Sequence, residues 1–584
     1  MKEQFKKILN KEWRDALVRQ LSDIVRGFNV SEKFLFYTLS IVLFVSGIFI
    51  VQGINAYFTI DVPAEGGYLR EGIIGSPRFV NPVLAVSDVD HDLTSLIYSG
   101  LVKILPDNTV VPDLAQSFTV SPDGLIYDFI LRDDIFFHDG KPVTSADIEF
   151  TILKIQDALI KSPKRPVFYD VAVQVLNERE IRFTLKKPYA PFLQSLTIGI
   201  LPKHLWNNLN YDEFPLSQYN VEPIGSGPYK VSSMKTLQKN MLLIPTYYEL
   251  VPFSDYALQT PYIATLFINF YRDEKTLVDA YSHGDIEAIN SVSPENIKNL
   301  HIPSDAHVET IPLPRTFVVF FNQTQSEVLA NKEVRQALDM ATDRQQIVAE
   351  VLGGYGTPIY GPIPAGLFGA TPEEKRADPE GAIALLEKAG WKRNAETGIM
   401  EKTISKSKVL RLAFSITTLN SPDLAKTAEL VKNSWRAIGA DVTIQQFEFG
   451  DLQQNILRPR KFDALLYGTV TGRDMDFFAF WHSSQRNDPG LNIAMYTNSR
   501  VDTLLEDARR TQDTNERLRK YASFAKEVAT DVPAVFLYSP DFIYIMPNKI
   551  MHPDFGLITL PYERFLGIHD WFIETNNEWR IFQK

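Results

Sequence analysis

The sequence predicts a mixed α/β protein that lies mostly outside a membrane and carries one spanning helix near its N-terminus. Three observations predict it. From Phe34 to Ile60 no residue is charged, and Phe34–Ile54 is almost wholly apolar. Downstream, runs rich in β-branched and aromatic residues alternate with helical apolar stripes. Cap and turn residues separate the two kinds of run, as when helices are laid onto sheets. At 584 residues the chain is too long for one ordinary core, which implies two or three domains.

The uncharged run comes first. At about 1.5 Å per residue it is long enough to cross a hydrocarbon layer ~30 Å thick. Residues 1–33 hold eight Lys/Arg and five Asp/Glu, whereas Asp61 and Glu65 follow the run. The positive-inside rule therefore puts residues 1–33 in the cytoplasm and the remainder outside. A cleaved signal peptide has a shorter charged start and an apolar stretch of only about 7–15 residues. Residues 34–58 are read instead as an uncleaved, single-pass anchor. Within residues 5–28, Phe5, Ile8, Leu9, Trp13, Leu17, Leu21, Ile24, Val25 and Phe28 recur at helical spacing. That pattern predicts an amphipathic helix along the inner membrane surface. Residues 61–67 (DVPAEGG) read as a short linker.

The external elements follow in order. Ser121–Gly124 (SPDG) has the residues of a type I turn and leads into a strand at Leu125–Leu131. Asp139-Gly140 marks a hairpin, and Thr144–Asp147 (TSAD) a capping-box-like helix start running to about Ala158. A helix is expected at Val334–Leu352, stopped by Gly353-Gly354. Asp378-Pro379 opens another that ends at Gly390, and Ser421-Pro422 one that ends at Gly439. A strand starts at Asp441, and Val501–Asp531 reads as one or two helices.

Composition excludes several classes. A net charge of -11 does not favour wholesale nucleic-acid binding. With no Cys, disulfides, thiolate metal sites, a thiol nucleophile and a lipidated N-terminal Cys are ruled out. There is no Gly-x-x-x-x-Gly-Lys-Ser/Thr loop and no His-Glu-x-x-His, and the nine His are scattered. Gly225-Ser226-Gly227 lacks the spacing of a nucleophile elbow and reads as a turn before a strand at Tyr229. His138 reads as structural, and Asp133-Asp134 as a solvent-facing turn. No catalytic residue, metal site or cofactor is assigned.

Leu114–Phe150 (LAQSFTVSPDGLIYDFILRDDIFFHDGKPVTSADIEF) closely resembles the signature region of the family 5 extracellular solute-binding proteins. These are the peptide, dipeptide and nickel binders of ABC importers. Further blocks are similar in the family's order: Leu201–Trp206, Pro223–Tyr229, Gly284–Ile286, Val334–Arg344, Asp378–Trp391, Asn492–Asp502 and Pro533–Tyr538. The resemblance implies a large two-lobed periplasmic-binding-protein-like clam of class II type. Lobe I would be residues 65–314 plus 536–584, and lobe II residues 315–535. It also implies ligand capture by lobe closure rather than catalysis, most readily of a peptide, for presentation to an ABC importer permease. A ligand-sensing receptor and a binder of a nickel chelate or sugar are the alternatives. A monomer is expected.

In peptide binders of this family, an Asp of lobe II meets the ligand's α-amine. It follows an apolar strand, in a segment like Ala-Asp-x-Asp-Pro. Here the strand is Phe462–Tyr467, followed by Gly472–Trp481 (GRDMDFFAFW). The resemblance gives that role to Asp474, with Asp476 as its neighbour, and Arg473 completes the candidate set. Phe477 stands where the family has Pro, so the register between Asp474 and Asp476 stays open.

Overall fold

The computed structural model describes residues 11–239, 242–364, 367, 375–473 and 475–579. The chain divides into a small unit, up to Ala64 and from Glu574 onward, and a large one, Glu65–Ile573.

In the small unit a helix at Lys11–Gly27 is followed by a second at Val30–Phe58. The early part of the expected amphipathic stripe, Phe5, Ile8 and Leu9, lies outside the described residues. The second helix starts on a reciprocal cap. Asn29 Oδ1 accepts the Glu32 N–H at 2.9 Å, and Glu32 Oε2 accepts the Asn29 N–H at 2.9 Å. Val30–Ile50 is long and apolar enough to cross a bilayer, and no part of it is buried by protein. The helix passes directly into a strand, Thr59–Ala64, which pairs antiparallel with Glu574–Trp579. The register runs from Thr59↔Trp579 to Ala64↔Glu574. Phe58 stacks on Trp579 with ring centroids 6.1 Å apart. The expected linker at 61–67 is therefore replaced by a strand to Ala64 and another from Gly66 to Ile74. Its partner lies at the far end of the chain, so no local hairpin signal marks it.

The large unit has two main cores. One gathers residues between Leu69 and Trp571, including Trp206, Tyr229 and Tyr248. Gly66–Ile74 pairs parallel with Ile263–Tyr271, which joins the antiparallel strands Tyr229–Lys239 and Leu242–Pro252. A separate four-stranded antiparallel sheet holds Ala115–Val120, Ile126–Leu131, Glu180–Thr184 and Ala172–Asn177 in that order. The second core lies around Trp435 and Trp481. Its sheet holds Asp441–Phe447, Ala413–Leu419, Ala464–Val470 and Arg315–Phe321.

One strand, Ala534–Pro547, serves both cores. It begins antiparallel to Arg315–Phe321, with Val319 opposite Val535, and its Leu537 packs into the second core. It continues antiparallel to Ala306–Pro312 and Ala288–Asn290, where Tyr544 and Met546 pack into the first. The exchange occurs near Pro540 and Asp541.

Local signals translate into caps. Thr144 and Asp147 form a capping box on the helix Ser145–Gln156. Asp378 accepts the Gly381 N–H at 2.8 Å and starts Pro379–Lys388. The expected helix 334–352 is two helices, Lys332–Ala341 and Arg344–Val351. Thr342 breaks it: its hydroxyl donates to Leu338 O at 2.7 Å and accepts the Trp435 indole N–H at 3.0 Å. Asp343 then caps the second piece through Gln346 N–H. At Gly225 an added Cβ would stand 2.1 Å from Ile97 O, and at Gly227 2.6 Å from Ile97 C. The Gly-Ser-Gly turn is thus a close backbone approach. His138 is pinned beside it, its Nε2 3.1 Å from Gly227 O.

Candidate functional site

A cavity of about 350 Å³ opens in the large unit. The C-terminal half of the helix Asp88–Ile97, the strand Val102–Ile104 and the segments around Lys164, Gln194–Gly199 and Thr559–Leu566 line it. Gly472 and Arg473, on the loop after Ala464–Val470, reach it from the second core. The cavity therefore lies where residues of both cores meet.

One end carries buried ionisable groups. Lys103 is held by its short strand, and its ammonium donates to His569 Nδ1 at 3.1 Å. Burial pulls Lys103 down to about 8, against the influence of Asp113 and Asp570. Asp113 lies just before the strand Ala115–Val120, and burial pushes its carboxyl up to about 6, opposed by Lys103, Ser99 and Arg132. Burial and the Lys103 charge hold His569 down to about 3. Ser99 sits beside Asp113 and Tyr256, yet Ser99 Oγ and Asp113 Oδ1 complete no hydrogen bond of good geometry. Buried polar atoms left without a protein partner mark a place where another group can bind.

Arg473 forms part of the cavity wall. It is 7% exposed, and its Nε lies 2.9 Å from Glu563 Oε1. The Nε–H is not aligned for a hydrogen bond, so that approach is an ion pair without one. Its Nη2 donates to Leu557 O, and Nη1 reaches Asn108 Oδ1 at 3.4 Å. Glu563 is held in turn by Thr559, whose N–H and hydroxyl donate at 2.5 and 2.9 Å. A second junction joins the cores elsewhere. Ala190 N–H donates to Arg509 O at 3.0 Å, and the Arg509 guanidinium lies 5.9 Å from the Tyr189 ring.

Two of the three candidate residues are described, and they have different surroundings. Arg473 lines the cavity. Asp476 is paired with Arg509, accepting from its Nη2 at 2.6 Å and its Nε at 2.9 Å. It also accepts the Phe478 N–H at 3.2 Å, at the start of the helix Phe478–Trp481. Asp474 lies outside the described residues. Sequence reasoning missed Lys103, Asp113, His569 and Glu563. Lys103 and His569 are 466 residues apart, and no motif joins them. Among the described residues, no three His, Asp or Glu side chains converge to hold a metal ion.

The comparisons with known proteins agree with this architecture. Residues 109–489 match the bacterial extracellular solute-binding proteins, family 5 (middle region). The oligopeptide-binding protein AppA of Bacillus subtilis is 29% identical over 504 residues, which is 84% of this chain and 89% of AppA. Its solved structure, in complex with a nonapeptide, superposes with a TM-score of 0.66 at 27% identity, covering 88% of this chain and 100% of that one. The nickel-binding periplasmic protein of Escherichia coli is 27% identical over 494 residues, 80% of this chain and 87% of its own. The two cores are the lobes of the periplasmic-binding-protein fold, and their shared strand is the passage between them. With well over half of its length matched, the chain belongs to the family 5 bacterial extracellular solute-binding proteins.

Proposed function

We propose that this chain captures a short peptide between its two lobes and presents it to the permease of an ABC-type importer. The observation that carries the reading is the cavity where Arg473 of one lobe meets Glu563 of the other, with unpartnered buried polar atoms inside. Binding between lobes that close by hinging needs such a site, completed only when both walls meet. The strands Arg315–Phe321 and Ala534–Pro547 are the candidate hinge. Val30–Phe58 serves as a membrane anchor with the lobes outside, which raises the binder's effective concentration at its transporter. The binder acts as a monomer and releases its ligand chemically unchanged. Asp474 remains the proposed partner of the peptide amine.

The test is native mass spectrometry of the full-length chain purified in detergent, with the released ligand sequenced. A co-purified peptide is expected, and adding it back should raise the melting temperature in proportion to occupancy. A metal chelate or a sugar in its place, or ligand cleaved on incubation, would overturn the reading.

A further inference from the structure

Six basic or carboxylic side chains line the cavity: His91, Lys103, Asp113, Lys164, Arg473 and Glu563. Arg473 is offset by Glu563, and Asp113 lies near Lys103. Burial, with Lys164 close by, holds His91 down towards neutrality, against Asp88 and Asp90. The three cations therefore face two carboxylates, and the cation left over is Lys164.

Lys164 is fixed in place. Its backbone N–H donates to Ser162 Oγ at 3.2 Å, and that hydroxyl donates to Val83 O at 2.7 Å. The next residue, Arg165, donates to Gln156 O at 2.9 Å. The Lys164 ammonium makes no ion pair with a described residue, and burial pulls it below the ordinary lysine range. His91 is its neighbour on the wall, with the Tyr562 ring 5.4 Å from the imidazole. Lys164 is half-buried on the cavity wall, and an anion entering the cavity can meet its ammonium without displacing a protein counter-charge. Elsewhere on the wall, Asp113 Oδ1 and Ser99 Oγ, neighbours without a well-aligned hydrogen bond, leave accepting capacity for a ligand donor.

We propose that the His91–Lys164 end of the cavity receives a side-chain carboxylate of the ligand, and that the solute class is short acidic peptides. The assignment rests on the peptide-capture reading above and narrows it. Size points the same way, because about 350 Å³ is near the lower end for small-molecule sites, roughly 300–1,000 Å³. A long extended peptide is not the expected occupant.

The experiment is calorimetric titration of the full-length chain in nanodiscs with Ala-Ala-Glu, Ala-Ala-Ala and Ala-Ala-Lys. The wild type should prefer Ala-Ala-Glu to Ala-Ala-Lys by at least about tenfold, the effect of one charge-assisted hydrogen bond. Lys164→Gln should remove that preference and Lys164→Arg should keep it. Because Lys164 has no protein ion pair, both variants should melt with the wild type, so a change in preference reports on ligand alone. Equal binding of all three peptides, or a preference that survives Lys164→Gln, overturns the assignment and leaves peptide capture standing. If none of the three binds, peptide capture itself fails and the carboxylate assignment falls with it.

Discussion

Glu563 and Arg564 are neighbours on one short helical turn, and each enters a buried ion pair, but the pairs face opposite ways. Arg564 turns into the first core. Its guanidinium donates to Glu71 at 2.9 Å and to both oxygens of Asp92 at 2.8 and 3.0 Å, with Glu71 also accepting the Tyr544 hydroxyl at 2.6 Å. The three charged side chains are at most 1% exposed, and all belong to one lobe. Glu563 turns outward and meets Arg473 of the other lobe. The chemistry is the same, but the consequence differs. A pair closed within one lobe must break for that lobe to unfold. A pair that spans two lobes breaks when they part, after which water can solvate both charges. The first contributes to folding, and the second to the balance between open and closed forms.

The largest expected effect breaks the inner cluster. Arg564→Met leaves Glu71 and Asp92 buried and facing each other without a cation. Thermal unfolding of the full-length chain should show a loss of about 3–5 kcal/mol. An unchanged melting curve would mean that the cluster does not contribute to stability as its geometry implies. Arg473→Met should behave differently. Unfolding should change little, while the closed fraction, and with it ligand affinity, should fall by roughly tenfold. Because the chain has no native Cys, a Leu216→Cys/Lys406→Cys pair gives a clean fluorescence reporter of lobe separation. Lower energy transfer in the Arg473 variant without ligand is the expected result; identical transfer would place the closing contact elsewhere.

The smallest effect at neutral pH concerns His569, which lies behind the cavity wall against Lys103. Its folded pKa is about 3, against about 6.5 when unfolded. Below about pH 6.5 the unfolded chain takes up a proton that the folded chain refuses until about 3, so stability falls across that window. His138, held down to about 4, adds to the same slope. Asp113, raised to about 6, acts in the opposite direction between its unfolded value and pH 6, where the folded state binds the extra proton. His569→Gln should therefore flatten the acid limb of the melting-temperature profile and leave the value at pH 7.5 close to wild type. A profile with the same acid slope would show that His569 titrates freely in the fold.

Local chemistry was readable from sequence, and long-range pairing was not. The caps at Thr144, Asp378 and Ser421, the turn at Ser121–Gly124 and the apolar helix each depend on a few adjacent residues. The break at Thr342 was missed because it depends on Trp435, which arrives from another helix. In the site, the resemblance led to the loop 472–481, where Arg473 does line the cavity. It gave no hint of Lys103, Asp113 or Lys164, whose role comes from where the fold brings them and not from their neighbours in sequence.

The ribbon of Thr59–Ala64 with Glu574–Trp579 bears on how the protein is made. The first of these strands precedes the lobes in the chain and the second follows them, so the pair cannot zip until the intervening lobes have been produced. A two-stranded ribbon is marginal alone, and joining its ends across an unfolded chain of that length carries a high entropic cost. Folded lobes meet that cost beforehand by bringing residues 65 and 573 to one place. Ribbon formation thus follows the folding of the lobes and reports it. A misfolded copy would keep an unpaired strand edge beside its long apolar helix, the kind of edge that quality-control proteases and chaperones recognise.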